Sequence, residues 1–255
     1  MSFLNRPQVR ALARRLGIAR SASKLIRLLS RDTMSYNPKY ELRFATELFG
    51  SVSPGDCVWD VGANIGFFTR QLAERVGTSG CVVAFEPFKS TFDRLQSEMK
   101  GFPQVRCLQL ALGADERDLF VKGIPESSFN TLMNEVTPGG GEAPSAGEKV
   151  HVTTGTKLIR DGQPAPNVIK IDVEGFEEDV LWGFRESLGN SCCSTILMEI
   201  HYSLAEERGF LRAPDRMQSL LRDAGFRTRW LDPGHLKASR PPRGGGRRTC
   251  EPQRC

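Results

Sequence analysis

A chain of 255 residues, 39% of them apolar, excludes a disordered or fibrous protein and suits one α/β domain with a sizeable core. No apolar run reaches the roughly 18 residues a membrane-spanning helix needs, so a cytoplasmic protein is expected. The net charge of +5 is uneven: residues 1–31 carry eight Arg or Lys and no acid, residues 237–255 carry six bases against Glu251, and between them 21 bases face 29 acids. An acidic body disfavours a nucleic-acid substrate, whose enzymes place basic surface around the site.

The seven cysteines (Cys57, Cys81, Cys107, Cys192, Cys193, Cys250 and Cys255) match no zinc or thioredoxin spacing. A reduced setting follows most simply.

In chain order, Val9, Leu12, Ala13, Leu16 and then Leu25, Ile26, Leu28, Leu29 recur at helical spacing. Residues 1–50 therefore read as a basic helical cap. Its arginines are solvated, or placed to contact an anionic membrane surface, or those of a transit-peptide-like segment, which shares the Arg-rich, acid-free composition. The catalytic domain is expected over 51–233 and a basic, unstructured tail over 234–255.

The first strand is expected at 57–61, running into Gly62-Ala63-Asn64-Ile65-Gly66 and a helix over 66–76. Glycines at such a turn let backbone approach a ligand closely, and the helix start points free N–H groups at it. A second strand, 81–86, ends in Glu86, and a helix over 88–99 carries Phe88, Phe92, Leu95 and Met99 on one face. A third strand covers 105–110, ending near Gln109 and Ala111. Residues 114–166 lose the helical period. Short strands near 118–122 and 148–154 bracket a Gly/Pro-rich loop at 137–147, read as either a lid or a surface loop. A fourth strand spans 167–172 with a helix from 175 to 185, and a fifth, 194–200, leads into His201. Pro214 opens a helix that Gly225 ends, and a sixth strand covers 226–231. The Arg, Pro and Gly of the tail leave a final antiparallel strand absent or reduced to a stub at 234–239.

Strand–helix–strand steps make right-handed crossovers, so a mostly parallel, doubly wound sheet is expected, with helices on both faces. Ligands bind beyond the carboxyl ends of such strands. Asp60, Glu86, Gln109, Asp172 and His201 all fall there. Glu86 suits a carboxylate that accepts from ribose hydroxyls. A dinucleotide turn needs G-x-G-x-x-G, which the spacing of Gly62 and Gly66 does not supply, and Asp60 would repel a pyrophosphate.

The D-x-G-x-[GN]-x-G pattern is instead similar to the first motif of class I S-adenosylmethionine-dependent methyltransferases. Together DVGANIG, VVAFEP, IKIDVEGFE and LMEIH (Leu197–His201) closely resemble the FkbM family of methyltransferases, over roughly residues 55 to 230. The resemblance implies a class I methyltransferase (Rossmann-like) fold, S-adenosyl-L-methionine as cofactor, and O-methylation of a hydroxyl on a sugar or secondary metabolite. On that basis Asp60 and Gly62 lie near the methionine end, Asn64 and Gly66 shape the turn, Glu86 takes the ribose, and Gln109 or Ala111 lies near the adenine. Ser128 and Asn130 sit in a polar stretch that suits the cofactor carboxylate or the acceptor.

Methyl transfer is an in-line displacement that needs alignment and exclusion of water, and a hydroxyl acceptor also needs its proton removed. Asp172, Glu174 and His201 are the candidates for that base. Asp172 could instead orient the cofactor amino group. Two acids at a spacing of two are weak grounds for Mg²⁺, so no metal is expected. The expected partner is a small-molecule or glycan acceptor. The competing readings are an NAD-dependent oxidoreductase and an inactive cofactor-binding scaffold.

Overall fold

The structure is a computed structural model that describes residues 38–121, 148–189, 192–207, 209 and 212–240. The N-terminal amphipathic pattern before residue 38, the 137–147 loop, Ser128 and Asn130 lie outside the described residues, as do residues 241–255. The chain divides into two units, Met1–Phe44 and Ala45–Cys255. The first is described only from Pro38, in helix α1 (Pro38–Phe49), and both sheets belong to the second.

The elements that follow are β1 (Cys57–Val61), α2 (Phe67–Val76), β2 (Cys81–Phe85), α3 (Lys89–Glu98), β3 (Val105–Leu108), β4 (Ala111–Leu112), β5 (Arg117–Val121) and β6 (Glu148–Thr153). After them come α4 (Gly155–Arg160), β7 (Val168–Ile171), α5 (Glu177–Gly183), α6 (Arg185–Leu188), β8 (Thr195–Glu199), α7 (Tyr202–Glu207), α8 (Ala213–Asp223), β9 (Arg227–Trp230) and β10 (His235–Ser239).

A seven-stranded sheet runs β3-β2-β1-β7-β8-β10-β9. Its first five strands pair in parallel. β1, β2 and β7 are buried along their whole length, as continuous apolar strands must be when helices cover both faces. Trp59 anchors the centre: its ring is fully buried, packs 5.0 Å from Phe85 and 5.5 Å from Phe184, and its indole N–H donates to the Pro164 carbonyl at 2.8 Å.

β10 corrects the expectation for the tail. It is a five-residue strand, antiparallel to both β8 and β9. Leu236 and Ala238 alternate into the main core, while Lys237 turns to Glu47 and Ser51 at 2.9 Å each. Arg240 then donates from Nε to the Cys193 carbonyl at 2.7 Å. The Pro/Gly composition that argued against a strand begins only at Pro241, so the boundary expected at 234 falls just before a core strand.

A smaller sheet, β4-β6-β5, occupies the region where the helical period fails. β6 pairs antiparallel with β5 and parallel with β4. Leu119, Val150, Val152 and Phe88 form its own apolar cluster. Among the described cysteines, Cys57, Cys107 and Cys193 are free thiols. No described helix is long and apolar enough to cross a membrane.

Candidate active site

The carboxyl ends of β1, β2 and β7 open onto a cleft enclosing about 680 Å³ of empty space, counted out to open solvent. Gly62, Asn64, Glu86, Ala111, Asp172 and Glu174 all line it. These six residues were expected at the site from the sequence. Gln109 is exposed and does not line the cleft. β3 ends at Leu108, two residues earlier than expected, and the chain then bends so that Leu110 and Ala111 face inward.

The turn after β1 depends on its glycines. Gly62 has φ 79°, and a Cβ there would lie 1.9 Å from the Asp172 carbonyl oxygen. The loops after β1 and β7 therefore touch backbone to backbone. Gly66 has φ 95°, and a Cβ on it would press on Leu95 and Met99 of the helix side at 2.9 and 3.0 Å. Gly66 thus shapes the turn without lining the cleft. Asn64 sits at φ 52°, a left-handed conformation that Asn tolerates better than most residues. Its backbone N–H donates to Glu86 Oε2 at 3.1 Å, and the Phe88 N–H donates to Glu86 Oε1 at 3.1 Å. Burial pushes the Glu86 carboxyl up to about 7 in spite of those two N–H groups.

Asp60 does not line the cleft. It is fully buried beneath the turn, where Thr69 Oγ1 donates to its Oδ2 at 2.7 Å and Lys170 Nζ lies 3.1 Å from its Oδ1. Oδ1 has no aligned hydrogen bond, so the contact with Lys170 is an ion pair by distance and charge rather than by direction. Lys170 also donates to the Gly62 carbonyl at 2.8 Å and lies 3.5 Å from Asp172 Oδ2. Burial alone would lower the Lys170 pKa, but Asp60 and Asp172 outweigh it and hold the ammonium charged. A lysine inside the apolar run Val168–Ile171 was the sequence signal for this arrangement, and no role had been read from it.

The second cluster gathers around His201. Its Nδ1 lies 2.8 Å from Glu177 Oε1. Its Nε2 lies 3.3 Å from Glu174 Oε2 and 3.9 Å from both Asp172 Oδ1 and Glu199 Oε1. Burial would lower the His201 pKa, yet the Glu177 bond and the charges of Glu177, Glu174 and Asp172 raise it to about 9. Burial also raises the Asp172 and Glu174 carboxyls. Burial would raise Glu199 too, but its bond to His235 and the charges of His201, His235 and Lys170 bring it below the usual range. Glu177 and Glu199 lie inside the quoted motifs but had been given no role; both are acids at the boundary between a strand or loop and a helix.

Asp172, Glu199 and His201 each offer a ligand atom within 4.8 Å of the others.

Residues 60–228 match the family model for the methyltransferase FkbM domain. The chain is 33% identical over 148 residues to the hexuronic acid methyltransferase AglP of Haloferax volcanii, covering 57% of this chain and 56% of that protein. It is 29% identical over 144 residues to methyltransferase 1 of Beauveria bassiana, covering 50% and 57% respectively. The chain thus matches somewhat over half the length of these curated relatives. A putative rRNA-methylase structure from Clostridium thermocellum is similar with a TM-score of 0.51 and 11% identity, over 83% of this chain and 99% of that one, which is a likeness of fold alone. The parallel sheet with its antiparallel β10 is the class I methyltransferase fold, and S-adenosylmethionine is the cofactor. The matching segment spans well over half of the sequence and carries the Gly62 turn, Glu86 and the His201 cluster: the chain belongs to the FkbM methyltransferase family.

Proposed function

We propose that this protein transfers the methyl group of S-adenosylmethionine to a neutral hydroxyl of a sugar or of another small metabolite, with Glu174 as the base. The observation that carries this reading is that Glu174 lines the cleft, with its Oε2 3.3 Å from His201 Nε2 behind it. The 62–66 turn, Glu86 and Ala111 would hold the cofactor. When bound, it supplies a methyl group on a sulfonium, an electrophile with a good leaving group.

The residues of the chain supply the rest. The closely packed backbone at Gly62 and Asp172 fixes the wall of the cleft, which aligns the acceptor. Glu174, its carboxyl raised by burial, accepts the hydroxyl proton, and the His201 imidazolium 3.3 Å away holds that carboxylate in place. Lys170 keeps Asp172 oriented from below.

The name of the Haloferax relative supports a sugar acceptor. The acidic lining favours a hydroxyl over a carboxylate. Like charges about 4 Å apart repel by roughly 4 kcal/mol at an effective dielectric near 20, and an acceptor carboxylate would face Asp172 and Glu174. The same lining argues against a nucleic-acid acceptor.

The test is transfer of labelled methyl groups to p-nitrophenyl glucoside and p-nitrophenyl glucuronide, with S-adenosylhomocysteine binding measured in parallel. A methyl ether that survives mild alkali, lost in Glu174→Gln with binding retained, is the expected result. An alkali-labile methyl ester would overturn the hydroxyl reading.

A further inference from the structure

We infer that Asp172 selects the acceptor: it accepts a hydrogen bond from the hydroxyl next to the one that is methylated, so the substrate is a vicinal diol. The inference rests on Glu174 taking the proton of the reacting hydroxyl, and it adds which hydroxyl compounds the cleft takes.

Asp172 is held rigidly. Its N–H donates to the Val61 carbonyl at 3.1 Å, and its own carbonyl oxygen stands 1.9 Å from where a Cβ on Gly62 would be. The backbone therefore cannot slide along the cleft without opening the cofactor turn. The side chain lines the cleft and keeps 27% of its surface exposed, so a ligand can reach it.

The polar contacts of that side chain are all of one kind. Lys170 Nζ lies 3.5 Å from Oδ2, and His201 Nε2 lies 3.9 Å from Oδ1. Both are cations standing beyond ordinary hydrogen-bond length. Among the described residues, no donor is hydrogen-bonded to the Asp172 carboxylate. Its charge thus has cationic neighbours, while its lone pairs, about four on a carboxylate, stay open. A neutral donor completes such a group. A ligand ammonium would be repelled by Lys170 and by the His201 imidazolium; a hydroxyl would not.

Glu174 supplies the second half of the geometry. It sits at φ 49°, a left-handed conformation uncommon for Glu. Gly175 follows at φ 93°, where a Cβ would lie 2.7 Å from Leu204 Cβ, so the turn is packed against α7. Two carboxylates two residues apart then converge on one point: His201 Nε2 lies 3.3 Å from Glu174 and 3.9 Å from Asp172. Neighbouring hydroxyls on one ring present two donors side by side, which matches that convergence. The hydroxyl facing Glu174 gives its proton to that carboxylate, and its oxygen takes the methyl as the donor leaves as a neutral thioether. The hydroxyl facing Asp172 keeps its proton.

The alternative is that Asp172 holds the ammonium group of the cofactor. Discrimination between acceptors separates the two roles. Labelled methyl transfer is measured to p-nitrophenyl glucoside, galactoside and mannoside. The methylated oxygen is identified by NMR, and the analogues deoxygenated at each carbon next to it are then assayed. In the wild type, loss of one neighbouring hydroxyl should lower kcat/KM about a hundredfold or more. Asp172→Ala should bring the two acceptors nearly level. Asp172→Asn keeps an accepting oxygen and should retain a preference of about tenfold. Each ratio compares two acceptors on one preparation, so it does not depend on how much of a variant folds. S-adenosylhomocysteine affinity should be unchanged in both variants.

Equal wild-type turnover of the parent and deoxy glycosides overturns the inference, as does methylation at the primary hydroxyl, which has no vicinal partner. So does a preference that survives Asp172→Ala; if S-adenosylhomocysteine binding is lost there as well, Asp172 belongs to the cofactor. Turnover of none of the three glycosides overturns the inference together with the sugar acceptor. Methyl transfer retained in Glu174→Gln is a failure of the base reading, whatever the ratios show.

Discussion

Lys170 Nζ donates to the Gly62 carbonyl at 2.8 Å while standing 3.1 Å from Asp60 and 3.5 Å from Asp172. One buried ammonium thus ties the cofactor turn after β1 to the acid after β7. Removing it leaves Asp60 as a buried charge without a cation. Lys170→Met is expected to cost about 3–5 kcal/mol of stability, read by urea unfolding. The double variant Asp60→Asn/Lys170→Met should recover a substantial part of it. Equal losses in the single and the double variant would show that the pair is not what stabilises the turn.

Gly62 offers a steric test of the same junction. Gly62→Ala places a methyl where the Asp172 carbonyl now stands, at 1.9 Å and φ 79°. Affinity for S-adenosylhomocysteine should fall at least about a hundredfold by calorimetry, since either the turn or the loop after β7 must move. Gly77→Ala is the control. It shares a positive φ, 65°, but a Cβ there meets nothing within 4 Å, so a loss of about 1–3 kcal/mol in stability from backbone strain and unchanged binding are expected.

Glu86 is held by two backbone N–H groups, those of Asn64 and Phe88. In Glu86→Gln the amide NH₂ must face one of those donors, leaving an N–H unpaired beside the cleft. A drop of about tenfold or more in S-adenosylhomocysteine affinity is expected, consistent with the roughly 1–3 kcal/mol for an unsatisfied buried donor. Unchanged binding would remove Glu86 from the cofactor site.

The pH dependence of stability has a definite sign. Glu86 is raised from 4.5 to about 7, and His201 from 6.5 to about 9. Each folded-state value lies above its unfolded one, so the native state holds the proton more tightly. The contribution of Glu86 is fully present below about pH 4.5 and lost by about 7; that of His201 is present below about pH 6.5 and lost as pH rises through about 9. Denaturant midpoints measured across this range should decline with pH, and His201→Asn should flatten the upper limb alone. A His201→Asn curve parallel to the wild type above about pH 7 would show that the carboxylates do not hold the imidazolium.

Much of the architecture could be read before the fold. The strands β1, β2, β7 and β8 appear as apolar runs that end at an acid, because a parallel strand buried on both faces has no room for alternation until it reaches the edge where ligands bind. Six residues expected from those edges do line the cleft. Gln109 missed it because a strand shorter by two residues changes which side chain faces inward. β10 falls on the 234–239 stub that one reading of the tail allowed; the Arg, Pro and Gly that follow it left its presence open, though Leu236 and Ala238 alternate correctly within it.

By itself, the sequence determined the fold class and the edge of the sheet where the chemistry sits, from local patterns of glycine, acid and apolar run; the methyl donor followed from the resemblance of its motifs to the FkbM family. Only the tertiary structure decided which acids face the cleft and which are counter-ions. Asp60 looked like a cofactor ligand until Lys170, far along the chain, was seen to lie against it. Glu177 has no role legible in the motif that carries it; the structure places its oxygen at His201 Nδ1. Ion pairing depends on distances across strands and loops, and chain order does not encode those distances.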